Sequence, residues 1–167
     1  MAEASLAAAS LLPDQQSLDE IHSVIETLQF ESPNSEILPK AMIELANVYF
    51  QLDRLEEGRQ LAHQSLEERE RIFGTDSREY IRGLAILGVF LATSDGGGPI
   101  RPNLEDGYRY VREGARRARE LFGTGDPTTV SNLIHYRSVL DEMGRHDEAK
   151  ALDEQILPYL DNIDEGW

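Results

Sequence analysis

Two corners of the sequence are spelled almost alike: RIFGTDS at Arg71–Ser77 and ELFGTGDP at Glu120–Pro127, which sets Phe73-Gly74-Thr75 and Phe122-Gly123-Thr124 49 residues apart. A phrase that recurs at such an interval marks an internal repeat, and periods of about 20–50 residues belong to stacked arrays of one supersecondary unit. Each unit of such an array cannot bury its apolar face alone. Neighbours must cover it, so the repeat constrains the fold more tightly than any single motif does.

The text between the corners is helical. Leu38, Ala41/Met42, Leu45, Val48/Tyr49 and Leu52 recur every three or four residues, which puts them on one helix face. Val130, Leu133, Tyr136/Arg137, Leu140 and Met143 repeat the pattern with Arg137 as its imperfect member. No stretch alternates apolar and polar residues as a half-buried strand does. Punctuation divides the helices. Ser17-Leu18-Asp19-Glu20 has the form of a capping box. Gly74, Gly123 and Gly144 stand where a left-handed residue would end a helix. Asp76 and Asp126 are placed to open the helices that follow, the latter with Pro127 at the first position, where no amide is needed.

Setting the pieces in register fixes the repeat length. Leu45 to Leu87 and Gly107 to Ala149 are separated by 42 residues, whereas Gly58 to Gly107 and Leu87 to Tyr136 are separated by 49. One seven-residue insertion, in the Gly-rich SDGGGPIRP at Ser94–Pro102, accounts for both longer intervals. Three helix pairs result, over 36–52 with 55–73, 77–93 with 103–122, and 127–143 with 147–160. A lone helix at 15–30 precedes them, with Phe30 as the counterpart of Phe73. Small residues fall where helices must cross closely: Ala46, Gly58, Gly88, Gly107 and Ala149.

These small residues, the Glu-Glu-Gly, Glu-Asp-Gly and Asp-Glu-Ala openings of the second helices, and the Gly-x-Asp corners together resemble the tetratricopeptide repeat (TPR) family. The likeness is to the 42-residue repeats of kinesin light chains, although the common repeat's Trp and its Pro after the second helix are missing. The resemblance implies an all-α, right-handed solenoid of helical hairpins with about seven helices. It covers residues 14–160, between a flexible N-terminal segment at 1–13 and an acidic C-terminal tail at 161–167.

Composition narrows the function. With 16 Lys+Arg against 31 Asp+Glu, the formal charge of −15 repels phosphate backbones and anionic lipid, so neither nucleic acid nor a membrane surface is an expected partner. No apolar run reaches the roughly 20 residues of a membrane helix, and no basic start or Arg-rich leader is present. Cysteine is absent, which removes disulfides and thiolate chemistry and fits the cytoplasm. His22, His63, His135 and His146 have no metal-site spacing, although His22 and His63 occupy second helices of adjacent units. The glycines of SDGGGPIRP lack the Gly-Lys-Ser/Thr of a phosphate loop. Abundant carboxylate neighbours on acidic helices say nothing about acid–base catalysis, which needs a pocket that separates two pKa values. The expectation is a non-enzymatic protein without metal or cofactor.

The resemblance implies that the first helix of each pair lines a concave groove. The corresponding positions are Lys40, Ile43, Glu44, Asn47 and Gln51 in the first pair, and Arg82, Ile86, Val89 and Thr93 in the second. In the third they are Ser131, Ile134, His135, Ser138 and Glu142. Lys40, Asn47 and Arg82 form part of a carboxylate clamp, but Val89 stands where a second Asn would complete it, so an extended or helical peptide with apolar and polar anchors fits better than a chaperone tail. A second feature comes from the sequence itself. Arg109, Arg112, Arg116 and Arg119 form a basic stripe on one helix face, suited either to acids of a neighbouring helix such as Glu67, Glu68 or Glu70, or to an acidic partner. The expected role is an adapter or regulatory module that binds a protein or peptide, with the net charge favouring a basic one. Self-association through Leu6, Leu11 and Leu12 is the alternative, and the tail ending on Trp167 is a candidate groove occupant.

Overall fold

The computed structural model describes residues 15–93 and 103–162. Seven α-helices run through them: α1 Gln15–Glu31, α2 Leu38–Gln51, α3 Leu55–Phe73, α4 Arg78–Ala92, α5 Leu104–Phe122, α6 Pro127–Glu142 and α7 His146–Ile156. A 3₁₀ turn at Leu157–Asn162 continues α7. It falls at Pro158, whose missing amide cannot sustain the α-helical bond. The helices match the expected pairs closely, and among the described residues there is no strand. The N-terminal segment, the SDGGGPIRP insertion and the tail with Trp167 lie outside the described residues. The chain divides into two compact units, Met1–Glu68 and Arg69–Trp167.

In the first unit, α1 contributes Leu18 and Ile25 and α2 contributes Leu38, Met42, Leu45 and Tyr49 to one core, with Leu61 of α3 against it. Buried Ser65 of α3 donates its hydroxyl to the carbonyl of Pro39 at 2.7 Å, which ties the two helices near the start of α2. The corner between α2 and α3 closes with the amide of Arg54 donating to Tyr49 O (2.8 Å) and that of Asp53 to Phe50 O (3.2 Å). That pair of bonds is a Schellman motif, which needs a left-handed residue, and Asp53 supplies it at φ 58°. The Arg54 guanidinium then lies over the Tyr49 ring, 4.3 Å from its centre. Two expectations fail here. The helix α1 already includes Gln15, so Ser17 sits inside it and does not cap it. Phe30 is 89% exposed and belongs to none of the described cores, whereas its expected counterpart Phe73 is half-buried.

In the second unit, Ala115, Val130, Leu133, Leu140, Ala149, Leu152 and Ile156 form one core across α5, α6 and α7. Ala92, Val111 and Val139 form another where α4, α5 and α6 meet. Both doubled corners follow the expected glycine rule, with Gly74 at φ 79° and Gly123 at φ 87°. At the second, Asp126 caps α6 by accepting the Thr128 amide at 2.9 Å. At the first, the cap is Ser77 rather than Asp76: its hydroxyl accepts the Tyr80 amide at 3.1 Å. Asp76 instead takes the guanidinium of Arg117 at 2.7 Å. The repeat register puts Ser77 opposite Asp126, since both lie four residues after the glycine-preceding phenylalanine.

The register is also visible in the packing. A Cβ added to Gly107 would come 2.6 Å from the Gly88 carbonyl, and one added to Gly88 would come 2.8 Å from the Gly107 carbonyl, so α4 and α5 cross backbone to backbone. One turn of the array earlier, the glycine at 58 faces the carbonyl of Ala46 in the same way. Likewise Gly114 faces the carbonyl of Ile81, as Ser65 faces that of Pro39. These equivalences carry the same 42- and 49-residue offsets read from the sequence.

Candidate functional site

On α2, Lys40, Glu44, Asn47 and Gln51 are spaced by four, three and four residues and are all exposed. That spacing keeps them on one helix face. None of the four carries a hydrogen bond or ion pair to the described residues, and half-buried Ile43 stands beside them. The second unit distributes its expected positions differently. Arg82, Ile86 and Val89 on α4 are half-buried, and Thr93 turns its hydroxyl back onto the Val89 carbonyl at 2.9 Å. On α6, Ser138 and Glu142 are exposed, Ile134 packs against the core, and Ser131 is only 4% exposed. His135 is half-buried, and burial holds its imidazole below the usual range. The N-terminal half of α6 buries Thr128, Thr129, Ser131 and Asn132, with the Asn132 amide donating to Thr128 O at 2.8 Å.

The basic stripe on α5 is resolved residue by residue. Arg109 pairs with Asp106 at 3.4 Å, and Arg116 is forked onto Glu113 and Glu120 at 2.6 Å each, so these two take acids of their own helix. Those hydrogen bonds hold the Glu113 carboxyl below its ordinary range and raise the guanidinium of Arg116. Arg119 donates instead to the neutral side-chain oxygen of Gln155 at 2.6 Å. Arg112 is exposed and has no hydrogen bond or ion pair among the described residues.

Below these arginines, α5, α6 and α7 enclose an open pocket of about 400 Å³. Its floor is Ala115, Leu133, Tyr136 and Leu152; its rim is Arg112, Arg116, Arg119, Glu120 and Gln155. Burial, then a hydrogen bond to Tyr108, pushes the Tyr136 phenol up to about 12, so it stays protonated. Periodicity could show the stripe, but this pocket needs side chains from three helices and had no signature in the sequence.

Among the described residues, no group of three or more His, Asp or Glu is placed to hold a metal ion. No described helix is long and apolar enough to cross a membrane. His22 Nε2 lies 2.5 Å from the Tyr49 hydroxyl, so its partner is a tyrosine of α2.

Residues 40–79, the span of α2, α3 and the corner after them, match the family model of the tetratricopeptide repeat. The fold is tetratricopeptide-like. It is similar to two crystal structures of nearly identical TPR-like repeats from a Podosopora anserina protein assigned as a kinesin light chain, one of them a point variant. The variant aligns with a TM-score of 0.70 and the other with 0.68, each at 12% sequence identity. In both cases the alignment covers 87% of this chain and 66% of the other. No curated protein matches the chain in sequence. The TPR-like assignment agrees with the hairpin register, and TPR repeats generally mediate protein–protein interaction.

Proposed function

We propose that the chain is a non-catalytic protein-interaction module, an adapter or regulatory subunit, that binds peptide segments on the outward faces of its first helices. The observation that carries this is the row Lys40, Glu44, Asn47 and Gln51 on α2. Four exposed polar side chains stand on one helix face with no hydrogen bond or ion pair among the described residues, inside the segment that matches the TPR model. Such a row can give direction and specificity to a bound backbone, while Ile43 beside it, and Ile86 and Val89 on α4, offer apolar anchors. The formal charge of −15 favours a basic partner through faster encounter, an advantage that salt removes. A role in the cytoplasm accords with the absence of cysteine.

The test is quantitative affinity capture with the wild-type chain against a Lys40→Ala, Asn47→Ala, Arg82→Ala triple variant of unchanged melting temperature. A partner bound by the first and lost by the second supports the proposal. Equal capture of every protein by both refutes the assigned faces. Self-association is favoured by one observation, the exposure of Phe30 (89%) and Ile37 (62%) in the first unit. Light scattering on the full chain, on Phe30→Ser and on a chain lacking residues 1–13 separates that reading: a monomeric mass throughout ends it.

A further inference from the structure

The pocket beneath the α5 arginines is built from second helices and from a face of α6 distinct from that of Ile134, His135 and Ser138. We propose that it is a separate recognition site for an extended acidic peptide, in which two carboxylates three positions apart flank one apolar side chain. Its floor is apolar and already closed by packing, since Leu133, Ala115 and Leu152 are all buried in the core of the second unit. The volume of about 400 Å³ suits a bulky aliphatic or aromatic side chain with part of its backbone. Sites of this kind combine an apolar lining with a few polar groups that fix orientation.

Charge selects the acid. Of the three arginines at the rim, Arg116 is neutralised by Glu113 and Glu120, which also uses up the one carboxylate on the rim. Among the described residues neither Arg112 nor Arg119 forms an ion pair with a carboxylate, although Arg112 lies in the field of Glu113, and the neutral amide of Gln155 orients Arg119 without adding an opposite charge. Two such guanidiniums in a chain with 31 acidic residues mark a local reversal of sign. They are separated by seven residues along α5, about 10 Å at the helical rise. A peptide in the polyproline II conformation rises about 3.1 Å per residue with three residues per turn, so side chains three positions apart lie on one side and cover that distance. Its acids then meet Arg112 and Arg119, and the side chain between them enters the pocket. Repulsion from the rest of the acidic surface is cut off beyond a Debye length of about 8 Å at physiological salt, so the local pairs dominate.

The test uses the full chain and fluorescein-labelled short peptides centred on Glu-Ser-Leu-Glu, read by fluorescence polarisation. Partner peptides carry Gln for both Glu, or Ser for Leu. The Glu peptide should bind saturably, the Gln peptide at least about tenfold more weakly, and affinity should fall as salt rises. Arg112→Gln, a change at an exposed side chain with no hydrogen bond or ion pair among the described residues, should weaken binding several-fold, and Arg112→Gln with Arg119→Gln further still. Arg109→Gln, on the same stripe but away from the pocket, should leave binding unchanged. In ¹H–¹⁵N spectra the Glu peptide should shift the amides of Ala115, Leu133 and Leu152. Equal binding of Glu and Gln peptides, no saturable binding at millimolar peptide, or amide shifts confined to α2 and α4 would each overturn the site. Because the Lys40/Asn47/Arg82 variant leaves this pocket intact, failure of the first-helix faces and failure of the pocket are distinguishable.

Discussion

The middle and last hairpins solve one crossing in two ways. Between α4 and α5, Gly88 and Gly107 face each other's carbonyls, and a Cβ at Gly88 would also lie 2.6 Å from Val111 Cγ1. The repeat register carries Gly88 to Arg137, Gly107 to Ala149 and Val111 to Asp153. In the last hairpin the glycine–valine contact has thus become an ion pair, Arg137 Nε to Asp153 Oδ1 at 2.9 Å, with Asp141 as a second partner at 2.7 Å. The middle crossing is buried, with α6 packed against both of its helices, so only backbone and methyl groups fit there. The Arg137–Asp153 pair is about 40% exposed on each side chain, so water can share the solvation of its charges. A solenoid position is therefore defined by its place in the stack as much as by its place in the repeat.

Four changes probe that comparison, in decreasing order of effect. Gly107→Arg should destabilise by about 1–3 kcal/mol or more, because the side chain has only the Gly88 and Ala92 backbone to enter; an unchanged melting temperature would break the assigned register. Asp53→Gly should stabilise by about 0.5–1 kcal/mol, since a left-handed residue carries a Cβ penalty there that Gly144 avoids at the matching corner. Chemical denaturation checks the sign, and a loss of stability would mean the Asp53 side chain contributes something the corner geometry does not show. Arg137→Ala should cost no more than about 1 kcal/mol, as expected of a half-exposed pair, and a larger loss would put the last crossing on the same footing as the middle one. The smallest effect is that of pH on His135. Burial lowers its folded pKa below the unfolded value of 6.5, so the unfolded chain binds more protons in the window between the two. Stability should be full above that window and fall as pH drops through it, and His135→Gln should flatten the slope in thermal melts taken across it.

Much of this architecture was legible because it is written locally. Apolar spacing gave the helix faces, and glycines gave the corners, since a left-handed backbone position has few other occupants. Where a side chain had alternatives, the reading slipped. Asp76 and Ser77 are both good caps, and the choice between them was made by Arg117, 41 residues away, which engages Asp76. Asp53 could take a left-handed position only because two Schellman bonds hold it there, and no letter in the sequence reports those bonds. The surfaces were less legible still. Ser131 looked like a groove residue by its place in the repeat, yet neighbouring packing closes it. The stripe on α5 was visible as four arginines, but which of them are neutralised depends on rotamers and on Gln155 from another helix.

Arg78 shows what a single side chain can do to an array. From the first turn of α4 its guanidinium engages the Asp126 carboxylate and the Thr128 hydroxyl at the start of α6, and it lies 4.2 Å over the Phe122 ring. Burial pushes the Asp126 carboxyl up, but the guanidinium and the Thr128 amide outweigh it and hold the group ionised. The same carboxylate thus caps one helix and fastens the preceding hairpin to it. Opening α6 therefore strips the half-exposed Arg78 on α4 of its carboxylate, hydroxyl and ring partners at once, so local unfolding of the two neighbouring hairpins is expected to be coupled.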